Sequence, residues 1–150
     1  MSTPKYVVSA CLCGKPTRYD GKAKPADPAL EALVESGEAL LVCPECMGGL
    51  PTPRPPAELQ GERVINTVGK DVTAQYVSGA EQVLALCKMH GIRTAILKQN
   101  SPSCGCRFVY DGTFSRTLVQ GRGITAALLL QHGITVYDET DWQENKSASG

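Results

Sequence analysis

Six of the seven cysteines fall in three short segments: Cys11-Leu12-Cys13-Gly14, Cys43-Pro44-Glu45-Cys46-Met47-Gly48-Gly49 and Ser101-Pro102-Ser103-Cys104-Gly105-Cys106. Thiolates are soft donors, suited to zinc and to iron–sulfur clusters. Three chemistries compete for them. One is a structural zinc that takes Cys43 and Cys46 as a Cys-x-x-Cys knuckle, in a non-enzymatic module whose metal stabilises the fold or a partner-binding surface. Zinc sites usually draw two such pairs, and the remaining pairs here are Cys-x-Cys. A second is a thioredoxin-like redox pair, with Cys46 resolving Cys43. There the motif opens a helix, which Met47-Gly48-Gly49-Leu50-Pro51 does not continue. The third is an iron–sulfur site fed by all three segments.

The elements that carry the segments decide whether they meet. Tyr6-Val7-Val8-Ser9-Ala10 is a short apolar run with the character of a buried strand. Asp27 followed by Pro28 opens a helix, because proline is tolerated in the first turn, and the helix continues to Ser36. Gly37 ends it, and Ala39–Val42 reads as a second strand. Pro51–Pro56 is irregular and extended, and Arg63–Asn66 is a third, weaker strand. Val72–His90 is a helix with an apolar stripe at Val77, Ala80, Val83, Leu84 and Cys87, which makes Cys87 a core residue. Thr94–Leu97 is the next strand, Gly123–His132 a helix, and Ile134–Tyr137 the last strand. Residues 143–150 read as a flexible tail.

The two histidines belong to an internal echo. Lys88-Met89-His90-Gly91-Ile92 and Leu130-Gln131-His132-Gly133-Ile134 both run helix, His, Gly, Ile, strand. Glycine after a helix adopts the left-handed conformation cheaply, and histidine in the last turn suits the dipole. Both are helix-end residues, and a chain with no other histidine lacks the base for Ser-His-Asp or Cys-His catalysis.

Strands alternating with helices make this an α/β chain, a compact Rossmann-like, mostly parallel sheet flanked by helices, with residues 1–150 as one domain. Ligands of such sheets bind beyond the carboxyl ends of the strands. Cys11, Cys43 and the Ser101–Cys104 loop each follow a strand, so order alone brings all three segments to one sheet edge.

Composition narrows the partners. Fifteen basic and 15 acidic residues give no net charge, which favours neither a nucleic-acid polymer nor a membrane surface. No apolar stretch approaches the ~20 residues of a bilayer span. Met1–Lys5 lacks an apolar signal region, which points to the cytoplasm, where structural disulfides are rare. The odd cysteine count also argues against a fully paired framework. Neither a heptad pattern nor a long apolar edge strand is present, so the sequence assigns no oligomeric state.

A run of motifs then resembles a known family: Val8–Leu12, Arg18–Gly21, Cys43–Glu45, Gly48–Pro56, Gly69–Thr73, Lys98, Ser101–Gly105, Tyr110–Phe114 and Gly121–Ala127, in that order over about residues 6–138. This is similar to the thiouracil desulfidase (TudS) family. The resemblance implies a 4Fe–4S enzyme that replaces the sulfur of thiouracil, or of a thiouridine nucleotide, by oxygen and releases hydrogen sulfide. It implies that Cys11, Cys43 and Cys104 hold the cluster and that Glu45 and Ser101 are active-site residues. Cys13 and Cys46 depart from it, since apolar residues are common there in the family.

The chemistry suits the residues. Three thiolates leave one iron open to a substrate's sulfur, as an open coordination position separates catalytic from structural zinc. Glu45, two residues after Cys43, is the candidate general acid/base, and Ser101 the residue that hydrogen-bonds it or relays its proton. Their bland alternatives are a solvated loop carboxylate and a turn-former before Pro102. Lys98, Arg54, Ser103 and Gly123 are candidate substrate contacts. The Gly121-Arg122-Gly123 run precedes a helix whose N–H groups favour a phosphate. Asp20 and Asp111 each precede glycine and read as turn residues.

Overall fold

Both faces of the first strand are covered, which is why Tyr6-Val7-Val8-Ser9 carries no polar alternation. The computed structural model describes residues 4–13 and 27–142. Strand β1 (Tyr6–Ser9) runs into a 3-10 turn (Ala10–Cys13). Helix α1 (Pro28–Glu35), strand β2 (Ala39–Val42), helix α2 (Pro44–Met47) and strands β3 (Ala57–Gln60) and β4 (Arg63–Asn66) follow. Helix α3 (Thr73–His90), strand β5 (Thr94–Leu97), strands β6 (Phe108–Tyr110) and β7 (Leu118–Gln120), helix α4 (Ile124–Gln131) and strand β8 (Thr135–Asp138) complete the order.

Four strands form one parallel sheet in the order β2-β1-β5-β8, with Val8 beside Leu41 on one flank and Ile96 on the other. Successive side chains point to opposite faces. Val7, Ala95 and Leu97 therefore pack with Val83, Leu84 and Cys87 of α3 and Ala126 and Leu129 of α4. Val8 and Ile96 pack with Leu30 of α1 on the other face, where Trp142 also lies. The chain leaves β1 for β2 on one side and later enters β5 on the other. That reversal opens a crevice at the carboxyl ends of β1 and β5, the general ligand position of open α/β sheets.

The helix ends follow their local chemistry. Asp27 Oδ1 accepts from the N–H groups of Ala29 and Leu30 at 3.0 and 3.4 Å, with Pro28 opening α1. Gly91 follows α3 at φ 67°, as the His-Gly echo predicts. Asp111 makes its expected turn, Oδ1 accepting from Thr113 N at 3.0 Å. Asp20, the Arg18–Gly21 motif and the expected tail at 143–150 lie outside the described residues.

One expectation needs correction, the place of Val77 on α3, and two hairpins lie outside the expected sheet. Arg63–Asn66 is a strand but not part of the parallel sheet: it pairs antiparallel with β3 in a separate hairpin. No helix separates it from β3, so no crossover to a parallel neighbour exists. The β6–β7 hairpin was not legible, since β7 is exposed throughout and carries no burial alternation. On α3 the apolar stripe passes through Tyr76, 2% exposed, whereas Val77, one residue on, is 38% exposed.

Candidate active site

Each cysteine segment begins where a strand of the parallel sheet stops. Cys11 lies in the 3-10 turn after β1, Cys43 caps α2 after β2, and Cys104 sits in the loop after β5. All three line one cavity of about 680 Å³, together with Glu45, Arg54, Lys98 and Ser101. The Cys-x-x-Cys segment does open a helix, but one that lasts a single turn before Gly48. The apolar packing of α3 explains how that turn is held. A Cβ on Gly79 would lie 1.8 Å from the Pro44 carbonyl oxygen, and one on Gly48 would lie 1.9 Å from that of Gln75. Two glycines thus allow α2 and α3 to touch backbone to backbone.

The Cys104 loop is held by its own serine. Ser101 Oγ accepts from Ser103 N at 3.0 Å and Cys104 N at 3.1 Å, which fixes the turn. The same hydroxyl donates to Glu45 Oε1 at 3.4 Å. Turn-former and carboxylate partner, the two readings of Ser101, are both realised in one side chain. Glu45 Oε2 accepts from Arg54 Nε at 2.8 Å and is 2.8 Å from Arg54 Nη2; the two side chains are 15% and 6% exposed. Glu45 is therefore not a solvated loop carboxylate.

Lys98 lines the cavity as expected, but its ammonium is paired with Glu139 at 2.8 Å. Ser103 and Gly123 lie behind the cavity wall. Ser103 is fully buried, its hydroxyl 2.7 Å from that of Thr125. The first amides of α4 are taken up by the cysteine loop: Ile124 N donates to Pro102 O, and Thr125 N to Ser103 O, both at 2.9 Å. A Cβ on Gly123 would meet the Ser103 carbonyl at 2.5 Å, so the glycine serves close approach of loop to helix.

Four residues at or beside the cavity were missed: Ser9, Tyr76 and Arg116 line it, and Glu139 pairs with Lys98. Ser9, 3% exposed, accepts from Lys98 N at 2.9 Å and donates to Cys104 Sγ at 3.7 Å. Its only sequence signal is a hydroxyl closing an otherwise apolar strand. Tyr76 reaches Glu45 from α3, and its hydroxyl is pushed well above its usual range by burial first and the Glu45 charge second. Glu139 and Arg116 carry no motif that marks them.

Burial governs the thiols. It raises Cys11, with the Lys98 ammonium opposing the rise, and pushes Cys43 up to about 12. Cys104 is pushed up by burial and then by the Glu45 charge, while the Ser9 hydroxyl pulls it down. Cys104 also feels the charges of Cys11 and Cys43, so the three form one electrostatic group. Without a cation the site is one of neutral thiols, and any metal must displace their protons.

Cys13 packs with Val8, Leu30 and Ile96 in the α1 core, and Cys87 is buried in the α3 core. Cys46 does not line the cavity; its sulfur is 3.4 Å from Thr52 Oγ1. Around a single zinc, thiolates at about 2.3 Å sit roughly 3.8 Å apart. Among the described residues, the group whose three ligand atoms all fall within 4.8 Å is Cys106, Asp138 and Asp141, where Arg107 already pairs with both carboxylates. Cys11, Cys43 and Cys104 do not form such a group, so at least one pair of their sulfurs lies more than 4.8 Å apart, wider than one zinc sets its thiolates.

Comparisons with known proteins identify the family. A family described as 2-thiouracil desulfurase matches residues 6–141. The uncharacterized protein YbbK of Bacillus subtilis (strain 168) is 41% identical over 145 residues, covering 90% of this chain and 95% of that protein. A solved structure of the [4Fe-4S]-dependent thiouracil desulfidase TudS is 51% identical, with a TM-score of 0.91 over 97% of both chains. Fold, sequence and the position of the cysteine-lined cavity lead to one conclusion: the chain belongs to the 2-thiouracil desulfurase family.

Proposed function

We propose that this chain is a 4Fe–4S desulfidase that converts thiouracil, or a thiouridine nucleotide, and water into the oxygen-containing pyrimidine and hydrogen sulfide. The observation that carries the reading is the convergence of Cys11, Cys43 and Cys104 with Glu45 in one cavity. Three soft donors on three strand ends, Cys104 buried and Cys11 and Cys43 half-buried, suit a cluster. When bound there, the cluster supplies an iron without a protein thiolate, a Lewis acid toward the thiocarbonyl sulfur.

The chain's own residues do the rest. Glu45 takes one proton from the water that attacks the thiocarbonyl carbon and returns it to the departing sulfur, and the new hydroxyl gives up the second proton as the C=O forms, so that sulfur leaves as hydrogen sulfide. Arg54 holds the Glu45 carboxylate from one side, and Ser101 hydrogen-bonds its other oxygen and relays the proton. Carbon exchanges sulfur for oxygen at one oxidation level, so the net reaction needs no electrons. Arg54 and Lys98 are each committed to a carboxylate. For a nucleotide substrate, Arg116 is then the cavity cation with no ion pair among the described residues, and it takes the anionic end. None of the seven cysteines is in a disulfide, which supports a reducing cytoplasm as the place of action. Among the described residues no helix is long and apolar enough to cross a membrane.

The test is an iron and acid-labile sulfide assay on anaerobically reconstituted protein, together with turnover of 2- and 4-thiouracil and their nucleotides. Expected are about four irons per chain and sulfide release, with Glu45→Gln retaining the iron and losing about 10²-fold or more in kcat. One zinc per chain without labile sulfide would defeat the proposal.

A further inference from the structure

The β6–β7 hairpin tip supplies Tyr110, Phe114 and Arg116 to the cavity. Its backbone is costly. Phe114 and Arg116 both adopt left-handed conformations, at φ 59° and 63°. Bulky residues avoid that region and hold it only where the surroundings over-determine it. Here the surroundings come from the other hairpin. Glu58 of β3, 8% exposed, accepts from the backbone N–H of Gly112 at 3.0 Å and of Phe114 at 3.2 Å. Gln60 Nε2 donates to the Gly112 carbonyl at 2.9 Å. Gly112, at φ 91°, lies so close to β3 that a Cβ would meet the Leu59 carbonyl at 2.6 Å.

A buried carboxylate used on two loop amides gives little packing in return, yet it fixes one side chain at the cavity. Phe114 remains 36% exposed, an aromatic ring with no polar group to satisfy. Tyr76, by contrast, is buried against Glu45. We infer that Glu58 is a positioning residue that holds the hairpin tip so that the Phe114 ring forms the wall on which the substrate's planar heteroaromatic ring stacks. The inference rests on the reading that a thiolated pyrimidine enters this cavity. Stacking on an aromatic face is insensitive to which ring position carries the sulfur, so Phe114 selects for a flat ring and leaves the choice of sulfur to the site beneath.

The experiment uses cluster-loaded protein with 4-thiouracil as probe, measuring equilibrium binding, KM and kcat, iron content, and hydrogen exchange at the Gly112 and Phe114 amides. Phe114→Ala is expected to weaken binding and raise KM at least about fivefold, with kcat within about twofold because the loss is one of uniform binding. Phe114→Tyr keeps the ring and stays near wild type. Glu58→Ala reproduces the KM rise and speeds exchange at both amides, while Glu58→Gln, which retains an acceptor oxygen, preserves protection and KM. Iron content is unchanged throughout. Turnover with unaltered binding in Phe114→Ala overturns the inference alone, as does a Glu58→Gln protein as defective as Glu58→Ala. Wild-type protein that binds 4-thiouracil without converting it overturns the desulfidase reading, and the Phe114→Ala affinity then decides the wall. Absence of binding by iron-replete wild type overturns both.

Discussion

Arg54 meets the Glu45 carboxylate with two nitrogens, Nε and Nη2, each 2.8 Å from the same oxygen. Both side chains are largely buried, so the pair is shielded from solvent screening. Removing one member leaves the other as a buried charge without its partner, the costly case. If Glu45 is the proposed acid/base, Arg54→Ala should keep its iron yet lose about 10²-fold in kcat, the cost of misplacing such a group. Arg54→Lys should recover little, because a point charge does not reproduce the guanidinium fork. Steady-state kinetics with iron quantification checks this. Full activity in Arg54→Lys would show that only the charge matters.

Cys43 and Cys46 are three residues apart and their thiols interact with each other, but the rest of their surroundings differ. Cys43 lines the cavity, whereas Cys46 faces Thr52 Oγ1 and Arg54 Nη1, the latter at 4.0 Å. Cys43→Ala should lose most of the bound iron. Cys46→Ala should keep about four irons per chain and turn over within a few-fold of wild type. A Cys46→Ala protein stripped of iron would make Cys46 a ligand and close the iron proposed to be open.

The sheet and its cysteine edge were legible because their signals are local. Apolar four-residue runs end in a cysteine segment, and Asp-Pro and His-Gly mark helix ends. The second layer of the site was not. Ser9, Tyr76 and Glu139 act across sequence separations of 31 residues or more, such as Ser9 with Cys104 or Lys98 with Glu139. No local pattern encodes such pairings. Gly123 illustrates the converse. A glycine before a helix reads as an anion site, and only the tertiary contact with the Ser103 carbonyl shows those amides already satisfied.

Asp71 precedes α3 and holds its first turn, Oδ1 accepting from Thr73 N at 2.9 Å, with Arg63 on its other oxygen. Hydrogen bonds from Thr73, then from Arg63, lower its carboxyl from 3.8 to about 2. A depressed acid contributes stability that is present above its unfolded value and disappears as pH falls through the folded one. Asp71→Asn should therefore lower the urea midpoint at pH 7, and the gap to wild type should close between about pH 4 and pH 2. Urea titrations of both proteins across that range provide the check. A gap that persists at pH 2 would mean that geometry, not charge, makes the contribution.

Gly79 sits in the interior of α3, where helix propensity alone favours alanine by about 1 kcal/mol. The tertiary contact argues the other way. An alanine Cβ would be placed 1.8 Å from the Pro44 carbonyl oxygen, and backbone cannot swing aside as a side-chain tip can. Relief requires α2 to move off α3, which carries Cys43 and Glu45 away from Cys104. Overpacking of this kind costs about 3 kcal/mol, larger than the propensity gain, so Gly79→Ala should be destabilised by roughly 2 kcal/mol net and bind iron less tightly. Gly61→Ala supplies the contrast, since its φ of 65° is strained but nothing lies within 4 Å of its Cβ and it is remote from the cysteines in sequence. It should lose stability without losing iron. Denaturant unfolding of the metal-free proteins, paired with iron titration, separates the two effects. A Gly79→Ala protein more stable than wild type would show that the one-turn helix bearing Cys43 is free to shift.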